Sequence, residues 1–212
     1  MVELLNVLPA FALTVLVIVA VPGQGMAMVL RQAILSGKQA AIYSVLGNSS
    51  GLIIWGILSG VGLSAIFQAS QTAFNILKWA GVIYLTILSL QTLGELRNEA
   101  GKFEYETGNR ATAFGPAFRI GITTNLTNVK AAVFSVGLVP QFVPNNFNIG
   151  LGIFFLCCIW ALISMSWYTF MITLVDKSSK WIQRPEIRRG LTAFSAVGIA
   201  VLAIGLAFTH AN

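Results

Sequence analysis

Residues 117–142 read AFRIGITTNLTNVKAAVFSVGLVPQF, and the number of times the chain crosses a membrane turns on them. The second half of this stretch, Ala131 to Val139, is apolar but short. The first half is polar and contains glycine. A continuous helix facing lipid would not carry Asn125, Asn128 and Lys130 together, because each polar group in hydrocarbon must find a partner. Two half-helices joined by a polar interruption satisfy the sequence, since irregular backbone is tolerated where it lines a cavity. The stretch therefore reads as a fourth span, broken in its middle.

The remaining spans are ordinary by comparison. A crossing helix needs roughly 17–25 apolar residues. Such runs lie at about Leu4–Leu30 (span 1, interrupted near Pro22), Gln39–Phe67 (span 2), Phe74–Leu93 (span 3), Ile149–Val175 (span 5) and Gly190–Phe208 (span 6). Composition agrees. Of 212 residues, 56% are hydrophobic and 9% charged, and the mean hydropathy is +0.80. A soluble domain carries roughly 25% charged residues, so this chain could not cover a water-facing surface. It reads as a single all-α integral membrane domain over residues 1–212. The first run carries Glu3 and no leading Lys or Arg, so it reads as a retained span and not a cleaved signal peptide.

Charge placement fixes the count. The net charge is +6, and the basic residues sit at the ends of apolar runs, which is a membrane-orientation pattern and not a nucleic-acid surface. Arg31 and Lys38 follow span 1. Arg97, Lys102, Arg110 and Arg119 follow span 3. Lys177, Lys180, Arg184, Arg188 and Arg189 follow span 5. That places 11 of the 13 basic residues on one side. The other side holds Lys78 alone, and Lys130 lies within span 4. The alternation works with six spans and with both termini outside the cytoplasm. Around Trp181 the segment Asp176–Arg189 is basic and partly amphipathic, suited to an anionic lipid surface.

The loop over residues 95–115 is the only hydrophilic segment of size and holds Glu95, Glu99, Glu104 and Glu106. It reads as a cytoplasmic linker between two halves, about 1–94 and 116–212, of three spans each. Because three is odd, the halves are oppositely oriented, as in an inverted-repeat transporter. Spans 1 and 4 open the two halves, and both are interrupted. Corresponding interruptions of this kind point to a transport site near the midplane.

The candidate site residues follow from the interruptions. Pro22 removes a backbone donor, and Gly23 and Gly25 let the backbone leave helical geometry. Amides and carbonyls released there bind the carboxylate and ammonium of a small zwitterion, helped by the half-helix dipoles. Gln24 adds a neutral donor and acceptor. Lys130 is the only charge well inside a span. It either holds a substrate carboxylate or snorkels to an interface. Asn125 and Asn128 flank it. Asn48, on span 2, is either interhelical glue or a cavity residue. Gly47/Gly51 and Gly56/Gly60 have the small-xxx-small spacing that permits close helix approach, within the chain or across a homodimer.

Some chemistries lack parts. Cys157 and Cys158 are adjacent and fit neither an ordinary disulfide nor a metal site. A transmembrane thiol–disulfide carrier would need cysteines in both halves. With one histidine (His210) and no acid in any confident span, there is no constellation for an enzyme, a metal or a cofactor, and no visible carboxylate proton relay. A non-transporting scaffold subunit remains an alternative that the paired interruptions argue against.

Several of these motifs resemble the LysE/RhtB superfamily of bacterial amino-acid exporters. They are Pro22-Gly23-Gln24-Gly25, Ser36-Gly37-Lys38, Gly47 to Gly51, Phe118-Arg119-Ile120-Gly121, Asn125-Leu126-Thr127-Asn128-Val129-Lys130 and Pro140-Gln141-Phe142. The likeness runs from about Leu8 to Val143. Two departures stand out. The family usually reads Pro-Gly-Pro at Pro22-Gly23-Gln24, and Asn-Pro-Lys at Asn128-Val129-Lys130. Several members also carry an acid where this chain has Leu52. The resemblance implies efflux of amino acids or close derivatives across the bacterial inner membrane, driven by the proton motive force. The missing membrane acids suit a neutral zwitterion better than a cation, which would want a carboxylate partner.

Overall fold

The computed structural model describes residues 2–20, 23–69 and 112–182 continuously, together with individual helical positions between 72 and 94 and between 190 and 204. Pro22 and residues 95–111 of the linker lie outside the described residues, as do most of spans 3 and 6. The described residues are helical apart from short connections, without a strand. Their main elements are α1 (Val2–Ala20), α2 (Gln24–Ser36), α3 (Lys38–Ala69), α4 (Phe114–Leu126), α5 (Val129–Val133) and α6 (Ile149–Ile182). A π-helical turn (Phe134–Leu138) and a 3-10 turn (Val139–Phe142) extend α5.

Two of these helices are long and apolar enough to cross a bilayer alone, over Lys38–Gly62 and Ile149–Leu174. Leu4–Ala20 and Gln24–Ser36 pass the same test together, bent by 59°. Val129–Phe142 forms a shorter apolar helical run. Large apolar side chains stand on the outer surface, among them Leu13 (65% exposed), Val61 (72%) and Leu151 (63%). A surface of that kind belongs in lipid. The protein is a multi-pass membrane protein.

The span boundaries expected at α3 hold to within two residues. α6 runs past Val175 to Ile182. Its 34 residues amount to about 51 Å at 1.5 Å per residue, against a hydrocarbon core of about 30 Å. No proline interrupts the polar residues after Val175 before Pro185, so the helix continues out of the apolar layer.

α3 is the central post and packs most extensively on α6 and α4. Its glycines divide between those two neighbours. A Cβ at Gly47 would collide with the Phe118 carbonyl of α4, and one at Gly51 would lie 2.7 Å from Asn125 Cβ. On the other flank, a Cβ at Gly56 would lie 2.6 Å from Cys157 Cβ, and one at Gly60 would lie 2.8 Å from the Gly150 carbonyl. Gly121 of α4 returns the contact, since a Cβ there would collide with the Ser44 carbonyl. These small residues let the backbones touch, which replaces the hydrophobic drive that lipid does not supply. Both glycine pairs thus serve packing within the chain. Cys157 and Cys158 are free thiols, and Cys157 is buried against Gly56.

Candidate substrate site

Each interruption has a local cause. α1 stops at Ala20, and α2 restarts at Gln24 behind Gly23, which is extended (φ −165°, ψ −170°) and has no side chain to cap the helix. The first turn closes through Ala27 N–H donating to the Gly23 carbonyl at 2.9 Å. In the second half, α4 ends at Leu126. Asn128 turns extended (φ −81°, ψ 99°), and its Oδ1 accepts from the Lys130 N–H at 3.1 Å. Asn128 is therefore the N-cap of α5, a role that asparagine fills as well as any residue.

The two missing prolines now have an explanation. Gln24 and Val129 are each the first residue of the helix that follows its interruption. Proline is favoured at that position because its fixed φ suits the helix and its missing N–H would be unpaired anyway. It is not required there. Gly23 and Asn128, one residue earlier, already hold the chain extended.

The interruptions meet in space. Lys130 Nζ donates to the Ile18 carbonyl at 3.2 Å. Ile18 lies in the last turn of α1, whose carbonyls have no intrahelical partner and carry the negative end of the helix dipole. Gln24 Nε2 donates to Thr127 Oγ1 at 3.2 Å, and Thr127 Oγ1 donates to the Thr123 carbonyl at 2.9 Å. The end of α1 is thus tied to the start of α5, and the start of α2 to the end of α4. Asn125, buried on α4, donates from Nδ2 to Asn48 Oδ1 at 3.3 Å. Trp55 Nε1 donates to the Asn125 carbonyl at 3.4 Å.

A cavity of about 20 Å³ lies among these groups, lined by Ile18, Val19, Asn48, Leu52, Asn125, Asn128, Lys130, Ala131, Trp160, Ser164 and Tyr168. That is room for about one water and not for an amino acid. Four of the expected site residues, Asn48, Asn125, Asn128 and Lys130, line it together. Gly23 and Gln24 lie at the adjoining start of α2, and Gly25 faces the cavity residues Tyr168 and Asn48. Pro22 is outside the described residues. Among the described residues, the lining holds one cation and no carboxylate.

Ile18, Thr127, Trp160, Ser164 and Tyr168 were not singled out from the sequence. Ile18 contributes only its backbone, which no pattern of side chains can flag. Trp160, Ser164 and Tyr168 did leave a trace. They recur every fourth residue in an apolar run, and two of them are polar. Trp160 is 3% exposed and packs edge-on against Phe134.

Interrupted helices inside a bundle with an apolar exterior are an arrangement found in membrane transport proteins. Residues 16–210 match the LysE type translocator family, and the chain belongs to it. A homoserine/homoserine lactone efflux protein of Salmonella typhimurium is 32% identical over 203 residues, covering 95% of this chain and 97% of the relative. The uncharacterized membrane protein YrhP of Bacillus subtilis is 25% identical over 209 residues, covering 96% and 97%. No solved structure matches the chain.

Proposed function

We propose that the protein is a secondary active exporter of amino acids or close derivatives across the bacterial inner membrane. Its six spans form one transport domain of two inverted three-helix halves, with both termini in the periplasm. The substrates are neutral zwitterions, and export is coupled to the proton motive force. The efflux activity of the Salmonella relative supports the direction and the substrate class.

The contact between the two interruptions carries this reading. Lys130 meets the Ile18 carbonyl, and Gln24 meets Thr127, across more than 100 residues of sequence. A half-buried ammonium beside a helix C-terminus, with no carboxylate among the described residues that line the cavity, is matched by a ligand that brings its own carboxylate and ammonium. The carboxylate takes Lys130 and the start of α2; the ammonium takes the α1 carbonyls that Lys130 now occupies. Loading requires the cavity to widen, and alternating access follows from the two halves rocking about the interruptions.

Export assays on an overexpressing strain, scanning amino acids for raised tolerance and extracellular release, test the function. Lys130→Ala and Gln24→Ala should lose export while still inserting in the membrane. Normal export from both variants sinks the site assignment. Collapse of release on adding a protonophore checks the coupling, and reporter fusions at both ends check the orientation.

A further inference from the structure

The cavity has a third wall that neither interruption supplies. α6 presents Trp160, Ser164 and Tyr168 to it. A spacing of four places the three on one helix face, and they are 3%, 1% and 7% exposed. Such a stripe is ordinarily packing. Two observations set this one apart. Ser164 and Tyr168 line the cavity beside Asn125, whose buried Oδ1 has no hydrogen-bond partner, whereas buried polar atoms ordinarily have one. The Tyr168 hydroxyl also rests on the first turn of α2. A Cβ at Gly25 would lie 2.7 Å from that oxygen and 3.7 Å from Asn48 Oδ1.

The division of labour among the walls gives this stripe its meaning. Lys130 and the helix ends at the interruptions offer one ammonium, backbone amides and backbone carbonyls. Those groups recognise a carboxylate and an ammonium, which every amino acid carries, so they do not tell one amino acid from another. Discrimination has to come from the wall that faces the side chain. We propose that Tyr168, with Ser164 beside it, is that wall and sets which side chains the exporter accepts. The inference rests on the export reading above. The phenol ring fills the volume that a larger side chain needs, and the two hydroxyls supply hydrogen bonds to a polar one. Gly25 belongs to the same device, because any side chain there would displace the ring.

The test is an efflux profile in whole cells, over zwitterionic amino acids graded by side-chain volume and polarity. It compares wild type with Tyr168→Ala, Tyr168→Phe, Gly25→Ala and the Gly25→Ala/Tyr168→Ala pair, each normalised to membrane-inserted protein. Tyr168→Ala is expected to shift the ratio of large to small substrates by about tenfold, the discrimination that one or a few methylene groups supply in a pocket. Tyr168→Phe should keep the size range and lose several-fold on polar side chains alone. Gly25→Ala should lower export of all substrates, and adding Tyr168→Ala should restore it. A uniform change in rate with the profile unaltered in both Tyr168 variants overturns the inference and leaves the export reading standing. No release of any substrate by wild type above the empty vector overturns both.

Discussion

The two interruptions do the same thing by different means. The first has a glycine before the new helix, no side-chain cap and a bend of 59°. The second has an asparagine that caps the new helix with its own Oδ1. Gly23 leaves the first amides of α2 without a side-chain partner, so that end is suited to an anion. Asn128 satisfies an amide of its helix, and the charge there comes from Lys130 two residues on. The lesson is that a proline at the first helical position is not needed at Gln24 or Val129. The extended residue before each helix start already sets the turn, and proline there in the wider family reinforces it.

Six substitutions test that difference, in order of expected effect. Lys130→Ala removes the one cation of the site and should lower export on the order of a hundredfold, as losing one partner of a desolvated charged contact does. Initial rates of release, normalised to membrane-inserted protein, measure it. Gly47→Ala acts on the scaffold of the second interruption alone. Its Cβ meets the Phe118 backbone, which cannot swing aside, so a loss of about 2 kcal/mol is expected, in the range for overpacking. Thermal unfolding in detergent reports it. Asn128→Ala should cost about 1 kcal/mol as a lost N-cap, whereas Asn128→Asp should restore most of it; the same unfolding curves decide.

The smallest effect sharpens the comparison most. Val129→Pro follows an extended residue that tolerates proline and should stabilise by about 0.5 kcal/mol through the unfolded chain. Gln24→Pro also follows an extended residue, but it gives up the bond to Thr127, worth about 1 kcal/mol. It should be neutral or slightly destabilising. Equal gains from both prolines would mean that the Gln24–Thr127 contact holds nothing together.

Where the helices stop was legible because the causes are local. Gly23 and Asn128 act on their own backbone, and the Asn125–Lys130 run is polar in an apolar chain. The pairing of Gly47 and Gly51 was legible as spacing, though not its partner. Tyr168 was hidden for a reason peculiar to membranes. In a water-soluble helix the buried side is apolar and the other polar, so the pattern reveals the face. α3 is apolar on every side, because lipid and protein interior make the same demand, and α6 sets Trp160, Ser164 and Tyr168 in a similar background.

The sequence by itself determined that this chain lives in a bilayer and, over the described residues, where its helices run and break. Those properties follow from hydropathy, charge placement and backbone chemistry over a few residues. The tertiary structure alone decided that Lys130 reaches the end of α1, that Gln24 reaches Thr127 and that the Tyr168 hydroxyl rests against Gly25. Those contacts depend on how far each helix is rotated and how closely its neighbour approaches. Close backbone packing at Gly47, Gly51 and Gly121 sets both, and no pattern along a single helix records it.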